Sequence, residues 1–217
     1  MELDDLATLI RTRRSIRRWQ DKEVPLTLLT KAVELATWAP NAGNRQNWRF
    51  YVIVNSDTIK SIADKVQNSV DQIASWPEAK EFGNDVSRWR EQASFFRSAP
   101  AAIAVATAQY DSVADKMLAA REETDSQARH MRAWRDIADT RIQSVASAIA
   151  YLLLVLHKMD LGAVWMTGPV QVAGEIERIL RVPPDMNIVA FIPIGYPAES
   201  PELRPRRPLE EVCEIVN

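Results

Sequence analysis

A helix with almost no polar face is the strongest constraint in this sequence. Residues 136–158 are predicted to form one long helix, and between residues 145 and 156 only Ser147 and Tyr151 interrupt its apolar surface. A helix that is apolar all round has to be covered all round. In a chain of 217 residues we therefore expect this helix to serve both as a core element and as part of a subunit interface.

Composition favours a globular protein in the cytoplasm. The chain is 47% hydrophobic, and the apolar run at residues 145–156 is shorter than the roughly 20 residues that a membrane span requires. The acidic start lacks the basic region and apolar core of a signal peptide. The single cysteine, Cys213, fits a reducing compartment. A formal net charge of −2 argues against binding to nucleic acid or to an anionic membrane.

The spacing of apolar and turn residues predicts a mixture of helices and strands. Helices are expected at residues 3–12, from about 25 to 39, at about 58–70, at 136–158 and after Pro169. Strands are expected at residues 48–54, 101–107, 163–166 and 188–194. Residues 71–135 are the least regular part, and we interpret the pieces 76–97 and 112–135 as helices on the rim of a site. No repeat or low-complexity linker marks a boundary, so residues 1–217 are predicted to be one domain.

The residue types exclude several kinds of chemistry. The six glycines never form a G-x-G-x-x-G or a P-loop pattern. The two histidines, His130 and His157, have no metal-ligand spacing, and His157 is expected to be a satisfied core histidine. Cys213 has no nearby base. A chain with so few candidate catalytic side chains either catalyses no reaction or relies on a cofactor for its chemistry.

Two arginine clusters indicate what such a cofactor carries. The first is Arg13-Arg14-Ser15-Ile16-Arg17, and the second is Arg204-Pro205-Arg206-Arg207. Guanidinium groups bind phosphate through paired hydrogen bonds, and clusters at opposite ends of the chain could converge on one anion. On composition alone, a solvated basic face or a nucleic-acid patch is the simpler interpretation.

Several segments together resemble the nitroreductase family of FMN enzymes. After the Arg13–Arg17 segment, residues 38–50 follow the family's small-residue turn, G-N-x-Q-P-W and strand. The remaining matches, in the family's order, are G-A-V-W-M-T-G-P at 162–169, I-G-Y-P at 194–197 and R-R-P-L-E-E-V at 206–212. Each match is weak alone, whereas the ordered set is specific and covers residues 10–212.

The resemblance implies the fold and the assembly. The expected class is α+β, with a central, mostly antiparallel sheet flanked by helices and a long buried helix at a dimer interface. A variable helical excursion at about 71–135 would lie over the active site, and a C-terminal tail at about 198–217 would pack on the partner subunit. The implied activity is transfer of hydride from NADH or NADPH through bound FMN to a small-molecule acceptor, such as a nitroaromatic or a quinone.

The resemblance also implies the cofactor site, in which the flavin performs the chemistry and no side chain is catalytic. Arg13, Ser15 and Arg17 would hold the FMN phosphate, with Arg14 contributing at least its main chain. The other implied cofactor contacts are Asn44 and Gln46 on the polar edge of the flavin or its ribityl chain, Thr167, Gly168 and Pro169 beside the reactive part of the ring, and Arg204 and Arg206 closing on the phosphate. The helix after Pro169 would point its positive end at the reduced flavin.

One departure and two alternatives remain open. Asn47 stands where the family commonly has proline, and we expect this to loosen the turn slightly. Within the same flavin fold the reaction could instead be reductive dehalogenation or flavin–oxygen chemistry, with the discriminating residues in 71–135. The other alternative is a basic-patch protein that binds an acidic partner and no flavin.

Overall fold

An antiparallel sheet lies at the centre of this protein, whose structure, a computed structural model, describes residues 2–109 and 111–216. The strands are β1 (Trp48–Ile53), β2 (Ala101–Ala108), β3 (Gly162–Ala163) and β4 (Met186–Gly195), in the order β1-β2-β4-β3. The α-helices are α1 (Leu3–Thr12), α2 (Leu26–Ala36), α3 (Ser56–Ala74), α4 (Gly83–Gln92), α5 (Val113–Arg121), α6 (Ser126–Ala138), α7 (Thr140–Lys158) and α8 (Ala173–Leu180). This architecture confirms the predicted α+β class with an antiparallel central sheet.

Helices cover both faces of the sheet. In β2 the side chains alternate between the faces, so Ile103 and Val105 join the core under α2 and α7, whereas Ala102 and Ala104 join the core under α3. All of β2 up to Thr107 is therefore buried, which explains why it is apolar without the alternation typical of a one-sided strand.

The long apolar helix is shorter than predicted and is covered on one side only. Asp139 adopts a left-handed conformation (φ 31°) that separates α6 from α7, and its carboxylate caps α7 by accepting from the Ile142 amide at 3.1 Å. The predicted start at residue 136 was wrong, because a short acidic side chain can adopt this conformation and cap the next helix. The buried positions of α7 follow helical spacing: Ser144, Val145, Ala148, Ile149, Leu152 and Leu156.

The opposite side of α7 keeps apolar surface outside the core of this chain. Ala150 and Tyr151 are exposed, and residues 153–155 are half-buried. By length and composition alone, the helical stretch Ser126–Lys158 could cross a membrane, with a third of its most apolar window buried inside the chain. The buried positions of this stretch are those that α7 contributes to the core, together with Ala128 of α6.

Three further sequence predictions differ from the structure. The strand expected at residues 163–166 is reduced to β3, after which Met166 makes only an isolated bridge with Phe191. The helix expected directly after Pro169 begins as a 3-10 turn, Gly168–Val172, and becomes α-helical at Ala173. The tail is extended as predicted apart from a turn at Leu209–Glu211. Met1, Tyr110 and Asn217, the last of which ends the predicted tail, lie outside the described residues.

Candidate functional site

The first arginine cluster lies along the edge of the sheet. Ser15 forms a parallel bridge with Ala163 of β3, and the Ile16 amide donates to the Ala163 carbonyl at 3.1 Å. Ile16 is the buried residue of the segment 13–17. Because neighbouring side chains of an extended segment point to opposite sides, burial of Ile16 turns Ser15 and Arg17 away from the core.

Main-chain pairing brings the C-terminal cluster to the same place. The Ala198 amide donates to the Arg18 carbonyl at 3.0 Å. The Glu199 carboxylate accepts from the main-chain N–H groups of Arg17, at 2.5 Å, and Arg18, at 3.2 Å. The chain after Glu199 is mostly exposed, and its arginines return to the first cluster.

The two clusters line one cavity of about 1110 Å³. Six residues that were predicted to hold a phosphate border it: Arg13, Arg14, Ser15, Arg17, Arg204 and Arg206. The cavity slightly exceeds the roughly 300–1,000 Å³ typical of small-molecule sites. A cofactor can therefore enter a space that both chain ends face.

Positive charge in this cavity is not neutralised by ion pairs. Burial lowers the pKa of Arg13, and the guanidinium groups of Arg14 and Arg206 lower it further. Residues from opposite ends of the sequence are thus close enough to repel each other. In the described part of the chain, no arginine of this cavity pairs with a carboxylate. Such a donor set fits the phosphate of FMN, which carries three terminal acceptor oxygens and a charge of about −1.5 to −2.

The Arg14 side chain has a different environment from that of its neighbours. Its Nη1 donates to the carbonyl groups of Arg11, at 2.7 Å, and Arg13, at 2.5 Å. These bonds fix the main chain where α1 ends and the arginine segment begins. Arg14 therefore adds positive charge to the cavity while its Nη1 atom is held by the chain itself.

His157 on α7 anchors the same segment. The Thr12 hydroxyl donates to the Thr8 carbonyl at 2.7 Å and lies 3.0 Å from His157 Nε2. The direction of the contact between Thr12 and His157 depends on which ring nitrogen of His157 carries the proton. Burial and the charge of Arg13 lower the pKa of His157, whereas Asp160 raises it. The predicted core histidine is hydrogen-bonded but only half-buried.

The turn that carries Asn44 and Gln46 has an unusual backbone. Gly43, Asn44 and Gln46 have φ values of 58°, 51° and 49°, and a positive φ is uncommon for residues other than glycine. The Asn41 side chain supports the turn, because its Oδ1 accepts from the main-chain N–H of Gln46 at 2.9 Å. The side-chain Nε2 of Gln46 donates to Asn44 Oδ1 at 3.3 Å. Both predicted side chains are exposed and are held beside each other.

Asn47, which stands where the family commonly has proline, ties this turn to the end of β2. Its side-chain amide donates to the Ala108 carbonyl at 3.0 Å, and its main-chain carbonyl accepts from the Ala108 amide at 2.9 Å. The Thr107 hydroxyl also donates to the main-chain carbonyl of Asn47, at 3.1 Å. The side chain therefore adds a bond between the turn and the end of β2 that proline could not form.

The segment Thr167–Pro169 combines a buried anchor with an open glycine. Pro169 is buried, whereas Thr167 and Gly168 are exposed. A Cβ atom on Gly168 would meet nothing within 4 Å, so packing inside the chain does not require glycine there. The α-helix that was predicted to point its positive end at the flavin begins at Ala173, after the 3-10 turn Gly168–Val172.

The predicted site residues form separate groups within one chain. Asn44, Gln46, Thr167, Gly168 and Pro169 are not among the residues that line the arginine cavity. Within one chain the arginines of both clusters face one cavity, whereas the residues expected to bind the flavin ring are not among those that line it.

Sequence reasoning missed an aromatic wall of the cavity. Trp19 and Phe95 both line it and stack with ring centroids 6.1 Å apart and an interplanar angle of 13°. Trp19 is fixed by its Nε1–H, which donates to the Gly162 carbonyl at 2.9 Å. The sequence did offer a signal for Trp19, because this aromatic residue directly follows the basic residues Arg17 and Arg18. For Phe95 and Glu199 the sequence carried no comparable signal.

Comparisons with known proteins show the family of this chain. Residues 10–196 match the model of the nitroreductase family. An NADH dehydrogenase/NAD(P)H nitroreductase of Methanothermobacter thermautotrophicus is 29% identical over 92% of this chain and 81% of that protein.

Two solved structures have the same fold. A BluB-like flavoprotein from Clostridium difficile 630 superposes with a TM-score of 0.84 and 25% identity, covering the whole of both chains. Oxidized iodotyrosine deiodinase bound to FMN and 3-iodo-L-tyrosine superposes with a TM-score of 0.70 and 23% identity, over 98% of this chain and 97% of the other.

Proposed function

Because this chain belongs to the nitroreductase family, we propose that it is an FMN-dependent oxidoreductase that transfers hydride from NADH or NADPH to a small electrophile, such as a nitroaromatic or a quinone. The observation that carries this function is the meeting of Arg13 and Arg206 at one cavity without a carboxylate partner. The NAD(P)H nitroreductase relative and the FMN-bound structural neighbour support the donor and the cofactor.

The work of this chain's residues is to bind and orient the cofactor. Arg13, Arg17, Arg204 and Arg206 supply charged donors to the phosphate, and Ser15 supplies a neutral one. Trp19 and Phe95 form an apolar wall that limits water on one side of the cavity. FMN, when bound, supplies the electron-accepting and hydride-donating ring. We assign no catalytic side chain.

We propose that a second copy of the chain completes the part of the site that binds the flavin ring. Support comes from the ring-binding candidates Asn44 and Gln46, which lie outside the arginine cavity, and from the outer face of α7, which retains exposed apolar surface. Ser147 of α7 donates to the Pro40 carbonyl at 2.6 Å, so this helix holds the turn close to its own outer face. A homodimer formed through α7 brings the turn of each subunit to the interface.

We further propose a cytoplasmic location and a one-domain organisation for residues 1–217. The exposed free thiol of Cys213 is compatible with a reducing compartment. The helices α4 and α5 and most of α6 lie within residues 71–135, the stretch proposed as a helical excursion over the active site, and the tail beyond residue 198 is the segment proposed to pack on the partner.

The experiment that tests this function is an absorbance spectrum of the purified protein followed by steady-state kinetics. We expect a flavin spectrum, oxidation of NADH or NADPH that depends on the acceptor, and parallel initial-velocity lines, since donor and acceptor use one slot in turn. A colourless protein that FMN cannot reconstitute would contradict the proposal, and intersecting lines would contradict the shared slot.

The structural neighbours favour a second candidate reaction on the same site. One neighbour is a deiodinase with an iodinated tyrosine bound, so reductive dehalogenation is the alternative to nitro or quinone reduction. Release of iodide from an iodinated phenol, measured beside reduction of a nitroaromatic and a quinone under the same donor, distinguishes the two. Membership of an enzyme family does not support the third interpretation, a basic-patch binding protein.

A further inference from the structure

Glu199 occupies an unexpected place, since it is a carboxylate in a cavity lined by arginines. We propose that Glu199 is a positioning residue of the phosphate site, which fastens the start of the C-terminal tail to the first arginine segment so that Arg204 and Arg206 face Arg13. The inference rests on the proposed function, because it concerns the binding of the FMN phosphate.

The contacts of Glu199 join the two chain ends directly. Its Oε1 atom accepts from the main-chain N–H of Arg17 at 2.5 Å and from that of Arg18 at 3.2 Å. A hydrogen bond to a charged acceptor is stronger than one between neutral groups. One carboxylate thereby fixes the main chain on both sides of the Arg17 α-carbon, next to a predicted phosphate ligand.

Glu199 is also the last polar anchor before the tail. Before Glu199, the main-chain N–H of Gln20 donates to the Tyr196 carbonyl at 2.9 Å, and the main-chain N–H of Ala198 donates to the Arg18 carbonyl at 3.0 Å. From residue 200 to 216, the described chain makes no hydrogen bond or ion pair to the rest of the molecule. The position of Arg204 and Arg206 in the cavity therefore depends on the direction that the chain takes at Glu199.

Charge alone predicts the opposite effect for this side chain. A carboxylate near the phosphate site repels the phosphate, so neutralising it should tighten FMN binding if charge were its only contribution. Positioning predicts weaker binding after the same change. The two explanations therefore differ in the sign of one measurement.

Glu202 provides a matched control. It lines the same cavity, but among the described residues its carboxylate has no hydrogen bond or ion pair. Glu199→Gln and Glu202→Gln remove the same charge from the same cavity, and only the first weakens the contact with Arg17 and Arg18. A glutamine at position 199 retains the size of the side chain and leaves a weaker, neutral acceptor.

The test is titration of the cofactor-free full-length protein with FMN and with riboflavin, which lacks the phosphate. Glu199→Gln is expected to weaken FMN binding by about tenfold, the loss typical of weakening one charged hydrogen bond, and to leave riboflavin binding unchanged. Glu202→Gln is expected to leave FMN binding unchanged or to tighten it. Unchanged or tighter FMN binding by Glu199→Gln would overturn the inference, as would equal losses for both ligands or for both variants.

Hydrogen exchange provides a readout that does not need the cofactor. In the wild-type protein without FMN, amides of residues 17 and 18 are expected to exchange more slowly than in Glu199→Gln, with the melting temperature unchanged. If wild-type protein failed to bind FMN, the proposed function would be wrong, whereas slower exchange would still support the anchoring contact. Equal exchange in both proteins would overturn the anchoring contact itself.

Discussion

Gly162 and Gly195 lie opposite each other in the β3–β4 pair, and neither has room for a Cβ atom. A Cβ on Gly162 would lie 2.7 Å from the Cβ of Ile16, and one on Gly195 would lie 2.6 Å from Cγ of Pro100. The edge of the sheet is thus shaped to let the first arginine segment approach closely. The position of Arg13 and Arg17 depends on this approach, because Ile16 lies between them.

Replacing Gly162 by alanine should damage both stability and the site. The new methyl group meets Ile16 next to its main chain, where little movement is possible, so the free energy of unfolding should fall by about 1–3 kcal/mol. In a chain of this size the melting temperature should fall by about 2–4 °C per kcal/mol. FMN retention should fall with it, because the arginine segment is displaced.

Gly174→Ala is the control for this change. Gly174 lies in α8 with nothing within 4 Å of its Cβ position, so alanine should leave stability unchanged or raise it by up to about 1 kcal/mol. Equal melting temperatures for Gly162→Ala and wild type would show that the close approach is not required.

Replacing Gly168 by alanine should separate function from folding. Since a Cβ there meets no atom of its own chain, the melting temperature should not fall. If the main chain lies against the flavin, the methyl group should lower the rate of NAD(P)H oxidation and alter the flavin absorbance spectrum. Gly174→Ala again serves as the control. If Gly168→Ala kept the wild-type spectrum and rate, as Gly174→Ala should, Gly168 would not lie against the flavin.

The pH dependence of stability should report on His157. Because burial and Arg13 lower its pKa in the folded state, the unfolded chain binds a proton first, at about pH 6.5. The free energy of unfolding should therefore fall as the pH drops below that value and through the folded-state pKa. Arg14 adds to this effect, and Asp160 opposes it.

Denaturant titrations of wild type and His157→Gln between neutral and mildly acid pH measure this loss. Glutamine can still donate to Thr12 but cannot take up a proton, so its stability should depend less on pH. His130→Gln, at an exposed position of α6, is the control for replacing a histidine by glutamine away from Thr12. Identical profiles for wild type and His157→Gln would contradict the assignment.

The elements were accessible from the sequence because they depend on local patterns, whereas the meeting of the arginine clusters was expected from their suitability for one phosphate and from the family resemblance. Aromatic and β-branched content and buried apolar runs predicted the strands β1, β2 and β4 within about two residues, and basic clusters suited to phosphate lie at both chain ends. The break at Asp139 was missed because the apolar pattern of α7 hides it, although an acidic residue before a helix is a capping signal.

The rest of the site depends on tertiary contacts that no local pattern encodes. Glu199 acts through main-chain N–H groups 181 and 182 residues away, and any residue type can offer such groups. Asn47 departs from the family's proline, yet its amide finds the Ala108 carbonyl 61 residues away. Asn44 and Gln46 were predicted from the resemblance, and the sequence carried no sign that they would not line the arginine cavity.

The central claim is that arginines from both ends of the chain bind one phosphate, and the affinities for FMN and riboflavin test it most directly. In Arg13→Ala and in Arg206→Ala, FMN binding should weaken by about ten- to a hundredfold, the loss of a charged hydrogen bond. Riboflavin binding should not change, and Arg88→Ala, on the exposed surface of α4, should bind both ligands like wild type. Equal losses for FMN and riboflavin, or no loss of FMN binding in either variant, would contradict the account.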